Sequence, residues 1–153
     1  MPQVSVIIGS KNDEPLIKPA LELLQQLGIE HEFLVMSAHR NPDKVRDYAS
    51  KAKERGIEVI IAAAGMAAHL PGVIASLTTI PVIGVPLPTS DLKGIDSLLS
   101  IVQMPAGVPV ACVGIGVSGA KNAALLAAQM LALKHQKISD AFEEYRRKLG
   151  AAV

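Results

Sequence analysis

The sequence predicts an α/β fold on one doubly wound parallel sheet, three layers deep, with five strands in its core. Three observations lead there. Short β-branched apolar runs alternate with helix-length amphipathic segments along the whole chain. The central runs are apolar at consecutive positions, as strands covered on both faces must be. No linker-like stretch, internal repeat or low-complexity tract divides the 153 residues, a length that suits one domain over residues 1–153.

Taken in order, residues 4–8 (Val-Ser-Val-Ile-Ile) form the first strand, and residues 9–13 the turn after it. Asn12 or Asp13 is placed to cap the next helix, and Pro15 fits its first turn, where a missing amide hydrogen matters little. That helix sets Leu16, Ala20, Leu23, Leu24 and Leu27 on one face and stops at Gly28. A second strand is expected over 30–36. A helix entered at Asn41-Pro42 follows, with Val45, Tyr48, Ala49 and Ala52 inward, ending near Gly56. Residues 57–63 form a third strand, and a small-residue turn leads to His69-Leu70-Pro71-Gly72 and a short helix to Leu77. A fourth strand over 81–85, a loop over 86–94 and a helix over 95–104 come next. A fifth strand is expected over 108–113 and a long Ala/Leu helix over 120–135. The last helix, 138–149, carries Ile138, Phe142, Tyr145 and Leu149 on one stripe.

Composition narrows the functional classes. Fifteen basic against 14 acidic residues leave a net charge of +1, and there are two Phe, two Tyr and no Trp. Such a chain offers no basic field for a nucleic-acid backbone and little to stack bases on, so no nucleic-acid partner is expected. The single Cys112 lies in an apolar run and reads as a small core residue. One cysteine forms no internal disulfide, which suits a reducing cytoplasm. The longest apolar run, 59–68, is about half the ~20 residues of a membrane span, and no hydrophobic leader precedes the first strand. A soluble, cytoplasmic protein without a membrane partner is expected.

In an open parallel sheet the turns leaving the strands share one edge, where ligands bind. Residues 9–13, 37–40 and 65–72 therefore converge. In the first turn, Ser10 and the backbone amides at a helix entrance suit an anion such as phosphate. Asp13 suits sugar hydroxyls, a helix cap, or both. In the second, Ser37, His39 and Arg40 place a hydroxyl, an imidazole and a guanidinium together. Arg40 is fitted to bind phosphate or carboxylate through its planar fork, with a surface ion pair as the alternative. His39 is the best proton carrier, since its ordinary pKa lies near neutrality. His69 is the second candidate, with a structural histidine as its competitor. His31 and His135 read as surface residues. Two histidines without a third clustered ligand make a poor case for zinc, and no metal is expected.

Residues 114–119 (Gly-Ile-Gly-Val-Ser-Gly) match the G-x-G-x-x-G pattern between a strand and a helix. The helix they open is followed by another helix rather than a strand, and Asp140, at about the right distance for the ribose, is not at a strand end. A tight turn that brings a helix close to the sheet is the better reading.

Five stretches carry a resemblance: Gly9-Ser10-Lys11-Asn12-Asp13, Ser37-Ala38-His39-Arg40, Ala67-Ala68-His69-Leu70-Pro71-Gly72, the run from Asp96 to Pro105, and Asn122 to Ala128. In this order, over nearly the whole chain, they resemble the PurE family of purine biosynthesis. The resemblance implies a flavodoxin-like fold, a homo-octamer in which the last helix packs on a neighbouring subunit, and production of 4-carboxy-5-aminoimidazole ribonucleotide (CAIR). Ser-Ala-His-Arg and His-Leu-Pro-Gly resemble the branch that rearranges N5-carboxyaminoimidazole ribonucleotide (N5-CAIR), whose supplier would be N5-CAIR synthetase. The other branch carboxylates aminoimidazole ribonucleotide (AIR) with carbon dioxide. Position by position, the resemblance implies that Ser10, Asp13 and Arg40 bind substrate, with Ser37 in the same pocket, and that His39 is the catalytic histidine and His69 a second active-site one, with no cofactor. Asn12, Asn41 and Met66 stand where the family usually has Ser, Thr and Gly. Met66 is expected to narrow the pocket or shift the backbone, which keeps a non-catalytic relative of the same fold in view. A nucleotide- or flavin-binding module is the other alternative.

Overall fold

The computed structural model describes all of residues 1–153. Five parallel strands form one sheet: β1 (Val4–Ile8), β2 (His31–Val35), β3 (Val59–Gly65), β4 (Val82–Leu87) and β5 (Ala111–Cys112). The helices are α1 (Glu14–Gln26), α2 (Pro42–Lys51), α3 (Leu70–Leu77), α4 (Ile95–Val102), α5 (Val117–Ala132) and α6 (Gln136–Ala151). Strand order is β2-β1-β3-β4-β5. The chain thus winds outward from β1 to β2, then returns past β1 and continues in the other direction.

Side chains alternate between faces along each strand, so even a continuous apolar run divides in two. Val4, Val6 and Ile8 of β1 join Ile61 of β3 and Val85 of β4 under α1, α5 and α6. Ile7, Ile60 and Ala62 point the opposite way, into a second cluster with Val45, Leu70, Ile74 and Ile101 from α2, α3 and α4. Each fully buried Ile or Leu contributes about 1.5–3 kcal/mol. Both faces are therefore strongly held, and the α/β/α layering follows. Edge strand β2 is only half-buried along its length.

Several boundaries differ from the sequence expectations. β3 begins two residues later and β4 one, because register against β1 pairs Val4 with Val59, and β4 follows β3. The fifth strand shrinks from six expected residues to Ala111–Cys112. Pro109 has no amide hydrogen to give the ladder, although the Val113 amide still donates to the Gly84 carbonyl at 3.1 Å. α2 stops at Lys51, with turns carrying the chain to Gly56. α4 ends at Val102, while α5 starts earlier and α6 is longer than expected.

Other details also change. Asp13 occupies the N-cap position of α1 without a side-chain cap bond, because a 3-10 turn over Lys11–Asp13 intervenes. Asn41 precedes α2 in the same way, and its carboxamide oxygen instead accepts the Ser37 amide at 3.3 Å. Cys112 is only partly buried, at the sheet edge, and burial pushes its thiol pKa up. His31 and His135 are half-buried rather than free surface groups. His31 Nδ1 lies 2.9 Å from the Ile29 carbonyl, and His135 Nε2 lies 2.7 Å from Glu58. On α6, Ile138 is buried, and Phe142 and Tyr145 pack against the α1–α5 cluster of the same chain. No helix is long and apolar enough to cross a membrane.

The Gly114–Gly119 turn has a steric purpose. A Cβ on Gly119 would run into the carbonyl of Gly114. The turn closes on itself and sets α5 against the sheet, and α5 leads directly into α6 with no strand between.

Candidate active site

A cavity of about 700 Å3 opens at the carboxyl ends of the strands, within the range of small-molecule sites. It lies where strand order reverses between β1 and β3, the place such sheets reserve for ligands. Ser10, Asp13, Ser37, His39, Arg40 and His69 all line it. Three loops, separate in sequence, bring them together.

The loop after β1 supplies Ser10, Asn12 and Asp13. Extended backbone at Ser10 starts the 3-10 turn, and its hydroxyl accepts the Asn12 amide at 3.3 Å. Asp13 is 7% exposed. Burial raises its carboxyl pKa, while the Ser10 backbone and the positive charge of Arg40 pull it partly back.

The loop after β2 is tied from within. The Ser37 hydroxyl accepts the Arg40 amide at 3.1 Å and faces Arg40 Nε at 3.5 Å. The Asn41 amide donates to the Ser37 carbonyl at 2.8 Å. Arg40 Nη2 reaches across to donate to the Gly9 carbonyl at 3.0 Å. The guanidinium is thus anchored to the β1 loop, and its remaining N–H groups are left for a ligand.

His39 ends up beside His69, from the loop after β3. Nε2 of His39 and Nδ1 of His69 are 2.6 Å apart, with the rings edge to face at 86° and centroids 4.7 Å apart. At that separation one ring nitrogen can donate to the other, the tautomer deciding which, in an exposed part of the cavity. No group of three or more His, Cys, Asp or Glu side chains gathers in a metal-holding arrangement.

The β3 loop is compact: the Ala68 amide donates to the Met66 carbonyl at 2.9 Å and the His69 amide to the Ala67 carbonyl at 2.8 Å. Met66 carries a positive φ of 57°, a left-handed conformation that costs a residue with a side chain about 1–2 kcal/mol. A glycine, expected here from the family resemblance, would adopt such a conformation without strain.

Thr89, from the loop after β4, also lines the cavity, and the sequence expectations missed it. A Cβ on Gly65 would collide with the Thr89 side chain, so the glycine admits the threonine. The strand-edge rule that united the other three turns applies equally to this one and contained the signal.

Comparison with known proteins extends this picture. A family model described as AIR carboxylase matches residues 3–152. The chain belongs to the AIR carboxylase family. A Saccharolobus solfataricus relative named N5-carboxyaminoimidazole ribonucleotide mutase is 59% identical over 145 residues, covering 95% of this chain and 90% of the relative. A Thermotoga maritima relative of the same name is 55% identical over 153 residues, covering 100% of this chain and 88% of its own. Among solved structures, the crystal structure of Treponema denticola PurE matches at TM-score 0.89 and 26% identity, covering 99% of this chain and 94% of that one. Within the AIR carboxylase family, the flavodoxin-like fold expected from the sequence is the fold present.

Proposed function

We propose that this chain interconverts N5-CAIR and CAIR in purine biosynthesis. The observation that carries the proposal is the His39–His69 pair, 2.6 Å apart, in a cavity that also holds Arg40, Ser10 and Asp13. The mutase names of relatives at 59% and 55% identity support it.

Each residue has a role the reaction needs. The Ser10 hydroxyl and the amides of its turn suit the phosphate, and Asp13 accepts hydrogen bonds from the ribose hydroxyls. Arg40 pairs with an anionic group through its free N–H donors. Ser37 holds Arg40 in place and keeps its own hydroxyl proton to donate. The C–N bond of the N5-carboxylate breaks, its electron pair staying on nitrogen, which takes a proton; carbon dioxide is left beside AIR. C4 then attacks the carbon dioxide, a C–C bond forms, and the displaced C4 proton leaves. His39 delivers the first proton and recovers the second, and His69 shares it between the two events. The exchange balances with no oxidant or reductant, so it calls for no redox cofactor.

The proposal extends to the protein's surroundings: a cytoplasmic homo-octamer, in which the part of α6 not packed on its own chain meets a neighbouring subunit, that receives N5-CAIR from N5-CAIR synthetase. An exposed apolar stripe on α4 and the turn before it, made of Leu92, Ile95, Leu99 and Val102, supports assembly. The test of the catalytic proposal is conversion of N5-CAIR to CAIR by the purified protein and its loss in His39→Asn.

A further inference from the structure

One long apolar side chain stands exposed at a cavity otherwise lined there by small and polar groups. Met66 is 61% exposed and lines the cavity with His39, His69 and Arg40. Its neighbours Gly65 and Ala67 are too short to cover anything, and Leu70 is buried in the core beneath. Core packing therefore does not account for Met66. Backbone comfort does not account for it either, since φ is 57°, where glycine is free and side chains are strained. Lys93 is the one other non-glycine residue with positive φ, and it does not line the cavity. The turn that carries Met66 also carries His69, joined by the Ala68–Met66 and His69–Ala67 backbone bonds. A thioether on an unbranched stem adapts to irregular surfaces and packs well against ring edges.

We propose that Met66 is a cover residue: over bound substrate its side chain closes the reacting end of the cavity, beside the two histidines, and retains the carbon dioxide released there. The inference rests on the mutase activity proposed above. Its chemical reason is that carbon dioxide is neutral and small. Arg40 and Ser10 hold anions through charge and hydrogen bonds but have little grip on it. An apolar wall slows its escape and excludes water.

The experiment measures how often carbon dioxide escapes. Unlabelled N5-CAIR is supplied to the wild type, Met66→Gly, Met66→Ala and Met66→Leu in buffer with 13C-bicarbonate and carbonic anhydrase. The labelled fraction of CAIR and the free AIR are then read by mass spectrometry, with enzyme-free decay subtracted. This fraction is a ratio per turnover, so it does not depend on how much of a variant is folded. Retention predicts little label with the wild type. Met66→Gly and Met66→Ala should raise label and free AIR several-fold, and Met66→Leu should lie near the wild type. Equal labelled fractions in the wild type and Met66→Gly, with N5-CAIR consumed by both, would overturn the inference. So would turnover that appears only in Met66→Gly, since Met66 would then be an obstruction. If neither protein consumes N5-CAIR, the mutase activity itself fails, and the cover with it; that outcome is distinct from equal labelling.

Discussion

At the scale of single residues, the types were legible and their mutual contacts were not. Ser10, Asp13, Ser37, His39, Arg40 and His69 stand out because hydroxyl, carboxylate, imidazole and guanidinium groups follow apolar runs that must be strands. The hydrogen bond between His39 and His69 spans 30 positions and depends on how two loops lean together, which no local pattern encodes. The positive φ of Met66 was hidden for a similar reason: it belongs to the turn, not to the side chain. Asp13 reads as a helix cap from position alone, yet the 3-10 turn leaves its side chain uncapped and largely buried. Its pH dependence follows from that burial. The folded-state pKa lies above the ordinary 3.8, so the folded protein binds this proton more tightly than the unfolded chain does. Stability from this group falls as pH rises from 3.8 through the folded value and is regained in acid. Asp13→Asn should therefore melt at or above the wild type at neutral pH, by calorimetry, with the margin closing as pH drops below that window. The same variant should raise KM for the ribonucleotide. A variant that melts lower at neutral pH and binds substrate normally would show that Asp13 is structural.

At the scale of elements, apolar periodicity located the five strands and six α-helices but not the 3-10 turn over Lys11–Asp13, and hydrogen-bond register then set the strand ends. The 108–113 run illustrates the limit: it is apolar throughout, but only Ala111–Cys112 pairs as a strand. The apparent nucleotide motif shows the converse, where a pattern persists and its usual purpose does not. Gly119 is needed because the turn folds onto itself, and a methyl group there meets the Gly114 backbone, which cannot retreat. Overpacking of this kind costs about 1–3 kcal/mol. Gly119→Ala should lose about that much in urea unfolding with little change in m-value. The Gly114–Gly119 turn lies outside the cavity lining, so the folded fraction should keep its KM. A stable Gly119→Ala protein would mean that the α5 entrance is looser than its geometry indicates.

At the scale of the whole molecule, the strand order β2-β1-β3-β4-β5 decides where chemistry is possible. Reversal at β1 parts the loops after β1 and β3 and opens the cavity between them, while the loops that enter α2 and α3 bring His39 and His69 together. The same scale governs assembly. Ile95, Leu99 and Val102 recur at helical spacing and remain exposed on α4, a stripe whose apolar character a monomer would not need. Native mass spectrometry should find eight copies of the 16.1-kDa chain, and Leu99→Glu should shift the protein to smaller species; a wild-type monomer would contradict the assembly. The central claim is tested most directly by following N5-CAIR and CAIR with the purified protein, beside a parallel incubation of AIR with bicarbonate. The mutase account predicts CAIR from N5-CAIR with the wild type and a drop of about 10²–10⁴-fold in His39→Asn. No CAIR from N5-CAIR, or His39→Asn turning over as fast as the wild type, would contradict it.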